Sequence, residues 1–359
     1  MRVLFFTLGT EILASSRTRV YQYIPYLQRE GVACTVHPAG LDRRLALSAQ
    51  GVSGWKLSWV QGWERLEKAV RIALFFCRAS FYDVVFVQKV LLPISLQKLL
   101  IALNSRVVFD FDDAIYVSHQ VQRSFWPAET NRHWFEHMVS ISRWVVLENQ
   151  YTAAHVRPLN ERIVQITGPI EVHRYVSRLS ASQGNRVILG WIGTPSNTVY
   201  LEELRGTLER LGQQYPQVSL LLVGASPFRL ENMPVEIRPW SLATEVADLQ
   251  QFDIGLMPLP DDEWSRGKGG YKLLQYMATG IPSVASPVGI VSEMIADGEE
   301  GFLASTPDEW FEKLNCLIEN RCLRAQMGHN GRKVAEERYS FEVAVSRLLP
   351  VLREVACAR

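Results

Sequence analysis

The sequence has few cysteines and no spacing that would let them act together. Its 359 residues include five cysteines, which are scattered and form no Cys-x-x-Cys pair. Isolated cysteines of this kind are usually buried, reduced thiols. We therefore expect neither a metal site nor a redox centre built on cysteine.

The sequence also lacks an excess of charge and a long hydrophobic run. The formal net charge is +1, which provides no overall field to attract nucleic acid. The longer apolar stretches, such as Ile72–Cys77, fall well short of the about 20 residues that a membrane-spanning helix needs. The first residues lack the basic stretch and apolar run of a signal peptide. We expect a soluble cytoplasmic protein, with peripheral contact at the inner membrane face as an alternative.

What the sequence does contain is an alternation of short β-branched runs with longer segments of helical period. Strands separated by helices are typical of a parallel sheet that is covered on both faces. The predicted strands are Val3–Phe6, Ala33–Val36, Val84–Val87, Val107–Asp110, Val145–Leu147, Ile163–Ile166, Ile188–Ile192, Leu220–Val223, Val235–Ile237, Ile254–Met257, Ser283–Ala285 and Gly301–Leu303. The predicted helices include Thr18–Arg29, Trp63–Arg78, Ile94–Leu103, Tyr151–Val156, Tyr200–Gln214, Ala243–Gln251, Tyr271–Thr279 and Val291–Ala296.

The alternation pauses once, which predicts a boundary between two domains. Gly168-Pro169 and the polar stretch Glu171–Gly184 read as a linker, and the chain is long enough for two hydrophobic cores. From Asp308 onward there is no strand signal, and the pattern predicts three helices. The predicted fold is therefore α/β, with two Rossmann-like doubly wound parallel-sheet domains. They span residues 1–170 and 171–338, and 339–359 form a final helix.

One strand-to-helix loop, Trp264–Pro282, concentrates glycines and cations directly before a predicted helix. Gly267, Gly269 and Gly270 let backbone N–H groups approach a ligand closely, and three cations lie in the same short span: Arg266, Lys268 and Lys272. Cations at a helix N-terminus are opposed by the helix dipole, and a bound anion would offset that cost. The alternative is a solvated basic loop. The combination favours a phosphate site.

If the helix begins early enough, two of these cations and a glutamine lie along one face of it. Lys268, Lys272 and Gln275 stand at positions i, i+4 and i+7, whereas Leu274 and Met277 belong to the buried side. This pattern predicts that Lys272 and Gln275 face a ligand together.

The stretch from Gly267 to Leu303 resembles the retaining GT-B glycosyltransferases of family 4, within the glycosyl transferases group 1. Their pattern "G-x-x-x-x-E-A-M-A-x-G-x-P-V-V-A-s-x-x-G-G-x-x-E" is similar to Gly270–Glu293, and "D-G-x-x-G-x-L" is similar to Asp297–Leu303. Gly190–Gly193 and Leu222–Gly224 extend the resemblance, which is weaker in the first domain. It implies a GT-B fold whose domains face a central cleft, with the last helix crossing back onto the first domain.

The sequence departs from the family pattern at two glutamates. The family commonly uses one to contact donor-sugar hydroxyls and the other to hold the ribose, and here these positions are Gly267 and Gln275. The family also often places an Arg and a Lys after the first strand of the second domain, where this chain has Gly193-Thr194. Arg266, Lys268 and Lys272 resemble the "G-K-G-x-x-K" of another branch of the family and would replace them.

Three further residues in the second domain are donor-binding candidates. Trp240 stands where the family contacts the nucleobase, although a core tryptophan is an equal alternative. Gly289 and Glu293 begin another strand-to-helix loop. Glu293 is equally well explained as a first-turn glutamate that favours the helix dipole.

The first domain offers candidates for the acceptor or phosphate side. Gly9, Thr10, Ser15, Ser16 and Arg17 follow the first strand, where hydroxyls and a guanidinium suit a sugar or phosphate. A capped helix start would also explain Ser15 and Ser16.

A second loop of the first domain, Asp110–Asp113, closes a strand with three carboxylates. These invite a metal site, but the resemblance places Asp112 and Asp113 beside the acceptor without a metal. His119 is a general base by residue type alone, and an exposed loop histidine is the simpler reading.

Together these residues predict a metal-independent glycosyltransferase that needs no cofactor. Its partners would be a nucleotide-sugar donor and a carbohydrate or other hydroxyl-bearing acceptor, and not nucleic acid. The predicted catalytic residues are Lys272, Arg266, Lys268 and Asp113. By resemblance, the anomeric configuration is retained. The missing glutamates leave a catalytically impaired nucleotide- or sugar-binding protein as an alternative. A dinucleotide-dependent oxidoreductase is disfavoured, because neither half has Gly-x-Gly-x-x-Gly after its first strand.

Overall fold

The computed structural model describes residues 1–42, 55–117, 127–176 and 186–358, with side chains from residue 62 onward in the helix that begins at Trp55. His119 and most of the predicted linker, from residue 177, lie outside the described residues. The described residues divide into two compact units. The first comprises those up to Pro169 together with those from Phe341 onward, and the second comprises those from Ile170 to Ser340.

The first unit is a six-stranded parallel sheet flanked by helices. Its strand order is β2-β1-β3-β4-β5-β6. The strands are β1 Arg2–Thr7, β2 Ala33–Pro38, β3 Val84–Gln88, β4 Val107–Asp110, β5 Trp144–Leu147 and β6 Ile163–Gln165. The helices are α1 Ala14–Arg19, α2 Ile24–Arg29, α3 Trp55–Ala79, α4 Ile94–Leu103, α5 Ala128–Ile141 and α6 Gln150–Val156, and the unit also takes the last helix, α14 Phe341–Cys357.

The second unit repeats this architecture in the strand order β12-β11-β10-β7-β8-β9. Its strands are β7 Val187–Ile192, β8 Val218–Val223, β9 Val235–Arg238, β10 Ile254–Met257, β11 Ser283–Ala285 and β12 Gly301–Leu303. Its helices are α7 Arg205–Gln214, α8 Glu245–Leu249, α9 Glu263–Arg266, α10 Tyr271–Thr279, α11 Val291–Met294, α12 Pro307–Glu319 and α13 Arg321–Tyr339.

The strands form where the sequence is continuously apolar rather than alternating. Every residue of β3, β4 and β8 is buried, as expected for strands with helices on both faces. One face of the first sheet packs against α3, α4 and α5, and the other packs against α14. The predicted fold class is confirmed, and each predicted strand is present.

Some predicted helices differ in detail from the observed ones. The segment predicted as Thr18–Arg29 is broken into α1, a 3-10 turn and α2, and the start of Tyr200–Gln214 belongs to a 3-10 helix, Pro195–Leu204. The last helix begins at Phe341 rather than at residue 339. In the described part of the chain, no helix combines the length and apolar character that crossing a membrane requires.

In each sheet there is one point, the reversal point, from which successive strands are added first towards one edge and then towards the other. In the first unit this lies between β1 and β3, and in the second between β7 and β10. Ligands of open α/β sheets bind outside the carboxyl ends of the strands at such points. The loops that follow these four strands are therefore the places to examine.

Candidate functional site

The predicted phosphate loop follows β10, at the reversal point of the second sheet. The connection from β10 contains α9 and then Gly267–Gly270, and α10 begins at Tyr271. The loop after the neighbouring strand β7 contributes Gly193 and Thr194. Topology therefore brings the two predicted donor-binding loops to one edge of the sheet.

Glycines set the shape of this edge because side chains would not fit. Gly270 adopts φ +67° at the start of α10, in the left-handed region that glycine favours. Gly289 has φ +57°, and a Cβ added there would lie 2.4 Å from the carbonyl oxygen of Arg266. The loop after β11 is thus pressed directly against the backbone of the cationic loop.

Lys272 lies in the first turn of α10 with its side chain packed on an aromatic ring. Its Nζ is 4.8 Å from the ring centroid of Trp191, and a Cβ on Gly193 would come within 3.0 Å of its Cε. Burial, followed by the nearby charge of Lys268, lowers the pKa of Lys272 to about 7. Within the described residues, no carboxylate oxygen lies within 4 Å of this ammonium. A cation held in this way is ready to accept an anionic ligand.

The other two predicted cations are engaged differently. Lys268 precedes α10, so the continuous helical stripe of Lys268, Lys272 and Gln275 is not formed. Its Nζ lies 5.2 Å from the Trp264 ring centroid and 5.8 Å from that of Tyr200. The Arg266 guanidinium is half-exposed, and its Nε and Nη2 donate to the two carboxylate oxygens of Asp261 at 2.6 and 2.9 Å.

Gln275 is buried, whereas Lys272 is only partly buried. The Gln275 Nε2 lies 3.4 Å from the Tyr175 hydroxyl, which donates to Glu245 at 2.7 Å. The Trp240 indole N–H donates to the second carboxylate oxygen of Glu245 at 2.9 Å. This buried chain was not predicted, because Tyr175, Glu245 and Gln275 are far apart in sequence and carry no motif.

The remaining donor-side candidates lie at the surface. Thr194 is exposed, with its hydroxyl 3.2 Å from that of Ser196. Trp240 is 37% exposed and follows the edge strand β9. Glu293 is exposed in the first turn of the short helix α11, the position at which a carboxylate favours the helix dipole.

In the first unit, the predicted loop after β1 is organised by Asp42 and by its own polar groups. The Thr10 N–H and hydroxyl both donate to Asp42, at 2.6 and 2.9 Å, and a Cβ on Gly9 would collide with the same carboxylate. The Arg17 guanidinium donates to the carbonyl oxygens of Glu11 and Ile12. These contacts fix the backbone of the loop.

Ser15 and Ser16 lie inside α1 and do not cap it, so the capping alternative is wrong. The residue at the N-cap is Leu13, which provides no side-chain hydrogen bond. Instead, the Ser16 hydroxyl donates to Gln88 Oε1 at 3.0 Å, and Gln88 Nε2 donates to the Ser15 hydroxyl at 2.9 Å. Gln88 ends β3, so the two serines join the loops on either side of the reversal point.

Asp112 and Asp113 share a cation that the sequence did not reveal. Lys89 Nζ lies 2.6 Å from Asp112 Oδ1 and 2.5 Å from Asp113 Oδ2. Against the burial that opposes ionisation, this ammonium lowers the pKa of Asp112. Lys89 has φ +58°, which is strained for a lysine, and its N–H donates to the Asp110 carbonyl at 2.7 Å. Such strain is most often found at functional sites.

The third carboxylate of this loop, Asp110, points elsewhere. It is buried and paired with Arg19, whose Nη1 also lies 3.0 Å from Glu148 Oε1. Burial raises the pKa of Asp110 and raises that of Glu148 well above its usual range. The carboxylates of the Asp110–Asp113 loop thus pair with Arg19 and Lys89. Across the described residues, no three His, Cys, Asp or Glu side chains are placed to hold one ion.

Comparisons with known proteins agree with this architecture. Residues 186–320 match the family model for Glycosyl transferases group 1. An uncharacterized glycosyltransferase of Methanocaldococcus jannaschii is 34% identical over 95 residues, which are 26% of this chain and 27% of that protein. The matched region thus spans about a quarter of the curated relative.

Solved structures match over nearly the whole chain at low sequence identity. Anabaena HepE in complex with UDP and glucose has a TM-score of 0.69 at 16% identity, covering 98% of this chain and 99% of that one. Sucrose-phosphate synthase from Thermosynechococcus elongatus has a TM-score of 0.70 at 12% identity, with 100% of both chains covered. A glycosyltransferase from Rickettsia africae has a TM-score of 0.70 at 13% identity, covering 100% and 99%.

These matches confirm the GT-B fold, and they confirm the resemblance to glycosyl transferases group 1 for the second unit. The finer assignment to retaining family 4 stays a prediction, as do the individual site residues.

Proposed function

We propose that this chain is a glycosyltransferase that moves a sugar from a nucleoside diphosphate sugar to a hydroxyl-bearing acceptor. Retention of configuration and independence of metal are part of the proposal. The group 1 match over residues 186–320 supports the reaction class. A related fold solved with UDP and glucose supports the class of donor.

The observation that carries the proposal is the environment of Lys272. A partly buried ammonium is placed beside Lys268 at the N-terminus of α10, where desolvation, like charge and the helix dipole all oppose it. The attraction of a diphosphate in contact with this lysine would offset all three costs. The positive end of the α10 dipole would add to the attraction for the same anion.

This arrangement also suits the chemistry of sugar transfer. Negative charge grows on the diphosphate as the bond between it and the anomeric carbon breaks, so a fixed cation stabilises the transition state more than the ground state. Among the described residues, no carboxylate forms an ion pair with Lys272 or stands beside it as an evident nucleophile. Front-face displacement, in which the leaving phosphate accepts the acceptor's proton, therefore fits best. Asp113, held by Lys89, would orient the acceptor in the first unit.

The alternative is a donor-binding protein without turnover, and one observation favours it. Gly267 and Gln275 replace the two glutamates of the family pattern, and Gln275 is buried against Tyr175. In that case the diphosphate would bind, but the sugar hydroxyls would lack partners that tighten in the transition state.

The first experiment measures stabilisation by a panel of nucleoside diphosphates, with Lys272→Met and the matched control Lys333→Met. Lys333 is an exposed lysine on α13. At 100 times its dissociation constant, the preferred diphosphate should stabilise the wild type and the control by about 2.7 kcal/mol. If the variant binds about 100-fold more weakly, the same concentration stabilises it by only about 0.4 kcal/mol. No effect of any diphosphate on the wild type would refute the donor site.

The second experiment measures turnover of the matching sugar nucleotides with a set of acceptors. Transfer that persists in excess chelator, with a product whose anomeric configuration matches the donor by NMR, would support the full proposal. Binding without transfer would favour the alternative, and activity restored only by Mg²⁺ or Mn²⁺ would overturn metal independence.

A further inference from the structure

Large apolar side chains are exposed along one face of α3 in the first unit. Trp63, Leu66, Val70 and Leu74 are 68, 59, 51 and 47% exposed. Their spacing of three, four and four residues places them on one side of the helix. Phe75, on the opposite side, is fully buried in the core. The helix is thus apolar on both faces, and only one of them is covered by its own unit.

The neighbouring elements carry further exposed apolar side chains. Phe81, just after α3, is 65% exposed, and Leu99 and Leu103 are exposed one turn apart on α4, which packs beside α3. These seven residues, from Trp63 to Leu103, make up half of the large apolar side chains that are exposed in the described parts of the chain. We call them the apolar patch. Isolated exposed residues are ordinary, but their concentration in one part of the first unit is typical of a binding surface.

The segment that contains the apolar patch has more cations than carboxylates. From residue 62 to 106, leaving out the paired Lys89, there are six cations and three carboxylates, although the whole chain carries a net charge of only +1. One carboxylate, Asp83, already accepts from the Arg2 N–H at 2.7 Å. The α4 helix has no acidic residue, and Lys98 is exposed beside Leu99. The cations are Arg65, Lys68, Arg71, Arg78, Lys98 and Arg106.

We propose that the apolar patch docks the first unit on the surface of an anionic lipid bilayer. Helices with tryptophan and leucine on one face and cations beside them bind in the plane of the headgroups, with their apolar side chains inserted. A second copy of this chain is a poorer occupant, because pairing two such patches would bring like charges together. Negatively charged headgroups offset the same cations.

The test is flotation of the whole protein with vesicles on a density gradient. One set contains only phosphatidylcholine, and the other contains about 30% phosphatidylglycerol, an anionic fraction that attracts basic segments. The protein should float with the anionic vesicles at about 0.05 M salt and lose most of its binding at about 0.5 M, where exposed charges are screened. No flotation at low salt would overturn the proposal.

Matched pairs of variants separate the apolar patch from general surface changes. Val70→Gln should weaken vesicle binding by about tenfold through lost apolar insertion, whereas Val199→Gln, which is 56% exposed in the second unit, should not. Lys98→Gln should weaken it by about fivefold, and Lys333→Gln should leave it unchanged. All four positions are exposed, so the melting temperatures should stay near that of the wild type.

Two outcomes of this comparison would reject the patch as the docking surface. If Val70→Gln and Val199→Gln changed vesicle binding equally, binding would not involve the apolar patch. Sedimentation that detects a dimer dissociated by Val70→Gln, without vesicle binding by the wild type, would assign the surface to a second copy instead.

Discussion

The ammonium nitrogen of Lys272 lies 4.8 Å from the centre of the Trp191 ring. The ring is almost fully buried in the second unit, so it holds the lysine stem in place while leaving the charge without a carboxylate partner in the described part of the chain. A cation on an aromatic face gains about 0.5–2 kcal/mol, which only partly offsets its desolvation. The Lys272 ammonium at this position therefore lowers the stability of the folded protein, as expected for a functional group.

Replacing Lys272 should affect turnover far more than folding. Lys272→Met keeps an apolar stem against Trp191 but removes the charge that, under the proposed function, faces the leaving diphosphate. We expect kcat to fall by about 100- to 1,000-fold, corresponding to about 2.7–4 kcal/mol, with a near-normal melting temperature. Leu274→Ala is the control, because Leu274 is fully buried and its truncation should lower the free energy of unfolding by about 2–5 kcal/mol. Wild-type kcat in Lys272→Met would refute the role of this lysine.

The lowered pKa of Lys272 predicts how stability depends on pH. Between about pH 7 and the pKa near 10.4 of an unfolded lysine, the unfolded chain binds more protons than the folded one. The contribution of Lys272 to the free energy of unfolding must therefore rise with pH across this window. Denaturant titrations from pH 6 to 10, on the wild type and Lys272→Met, isolate it as the difference between the two curves. A difference that does not change with pH would contradict the lowered pKa.

Diphosphate binding should take up a proton above pH 7. The bound anion favours the charged lysine and raises its pKa, so a ligand-free protein that is partly neutral at about pH 8 must become protonated. Calorimetric titrations in buffers with different ionisation enthalpies measure this uptake, which should approach one proton. Lys272→Met should show none, and uptake of the same size in that variant would assign the proton to another group.

Gly289 should be required for the shape of the cationic loop. Gly289→Ala adds the strain of a positive φ and a methyl group 2.4 Å from the Arg266 carbonyl oxygen. Gly298→Ala is a matched control, since Gly298 has φ +90° but no atom near an added Cβ. The control should lose about 1–2 kcal/mol of unfolding free energy and keep its affinity for diphosphate. Gly289→Ala should lose more and bind diphosphate at least about tenfold more weakly. Equal diphosphate affinities of Gly289→Ala and Gly298→Ala would show that the cationic loop tolerates the added methyl group.

Lys89 should hold the two carboxylates of the first unit in place. Lys89→Met leaves Asp112 and Asp113 beside each other without their cation, and we expect a loss of about 2–3 kcal/mol near pH 7, less than for a fully buried pair. In the wild type the lowered pKa of Asp112 contributes stability that is lost as pH falls, so the difference between the two proteins should shrink on acidification. Lys89→Met combined with Asp112→Asn should recover part of the loss. A defect that grows towards low pH would contradict this account.

The fold could be predicted almost completely from the sequence, because it depends on local periodicity. Strands such as Ile254–Met257 and helices such as Tyr271–Thr279 have the predicted bounds, since apolar runs and a closing Gly280-Ile281-Pro282 fix them locally. The topology could be inferred too, because strands that alternate with helices allow few arrangements.

Side-chain partners could not be predicted in the same way. Lys89 lies 24 residues from Asp113, and Gln275 lies 100 residues from Tyr175, so no local pattern connects them. The stripe of Lys268, Lys272 and Gln275 failed because Gly270 starts the helix in the left-handed region, after Lys268. That start depends on how the loop packs against Ile290 and Met294. Such packing is a tertiary feature.

The position of α14 has a consequence for the chain during its synthesis, because the first unit needs the last helix to complete its core. Phe341, Leu348 and Leu352 pack in one core with Val3 and Phe5, although the whole second unit is translated between them. On the ribosome, the second unit can close its own core while one face of the first sheet still lacks the part of its cover that α14 provides. Because Val3, Phe5, Val84 and Val108 remain open on that face, the nascent first unit is the half most exposed to aggregation until the last helix emerges.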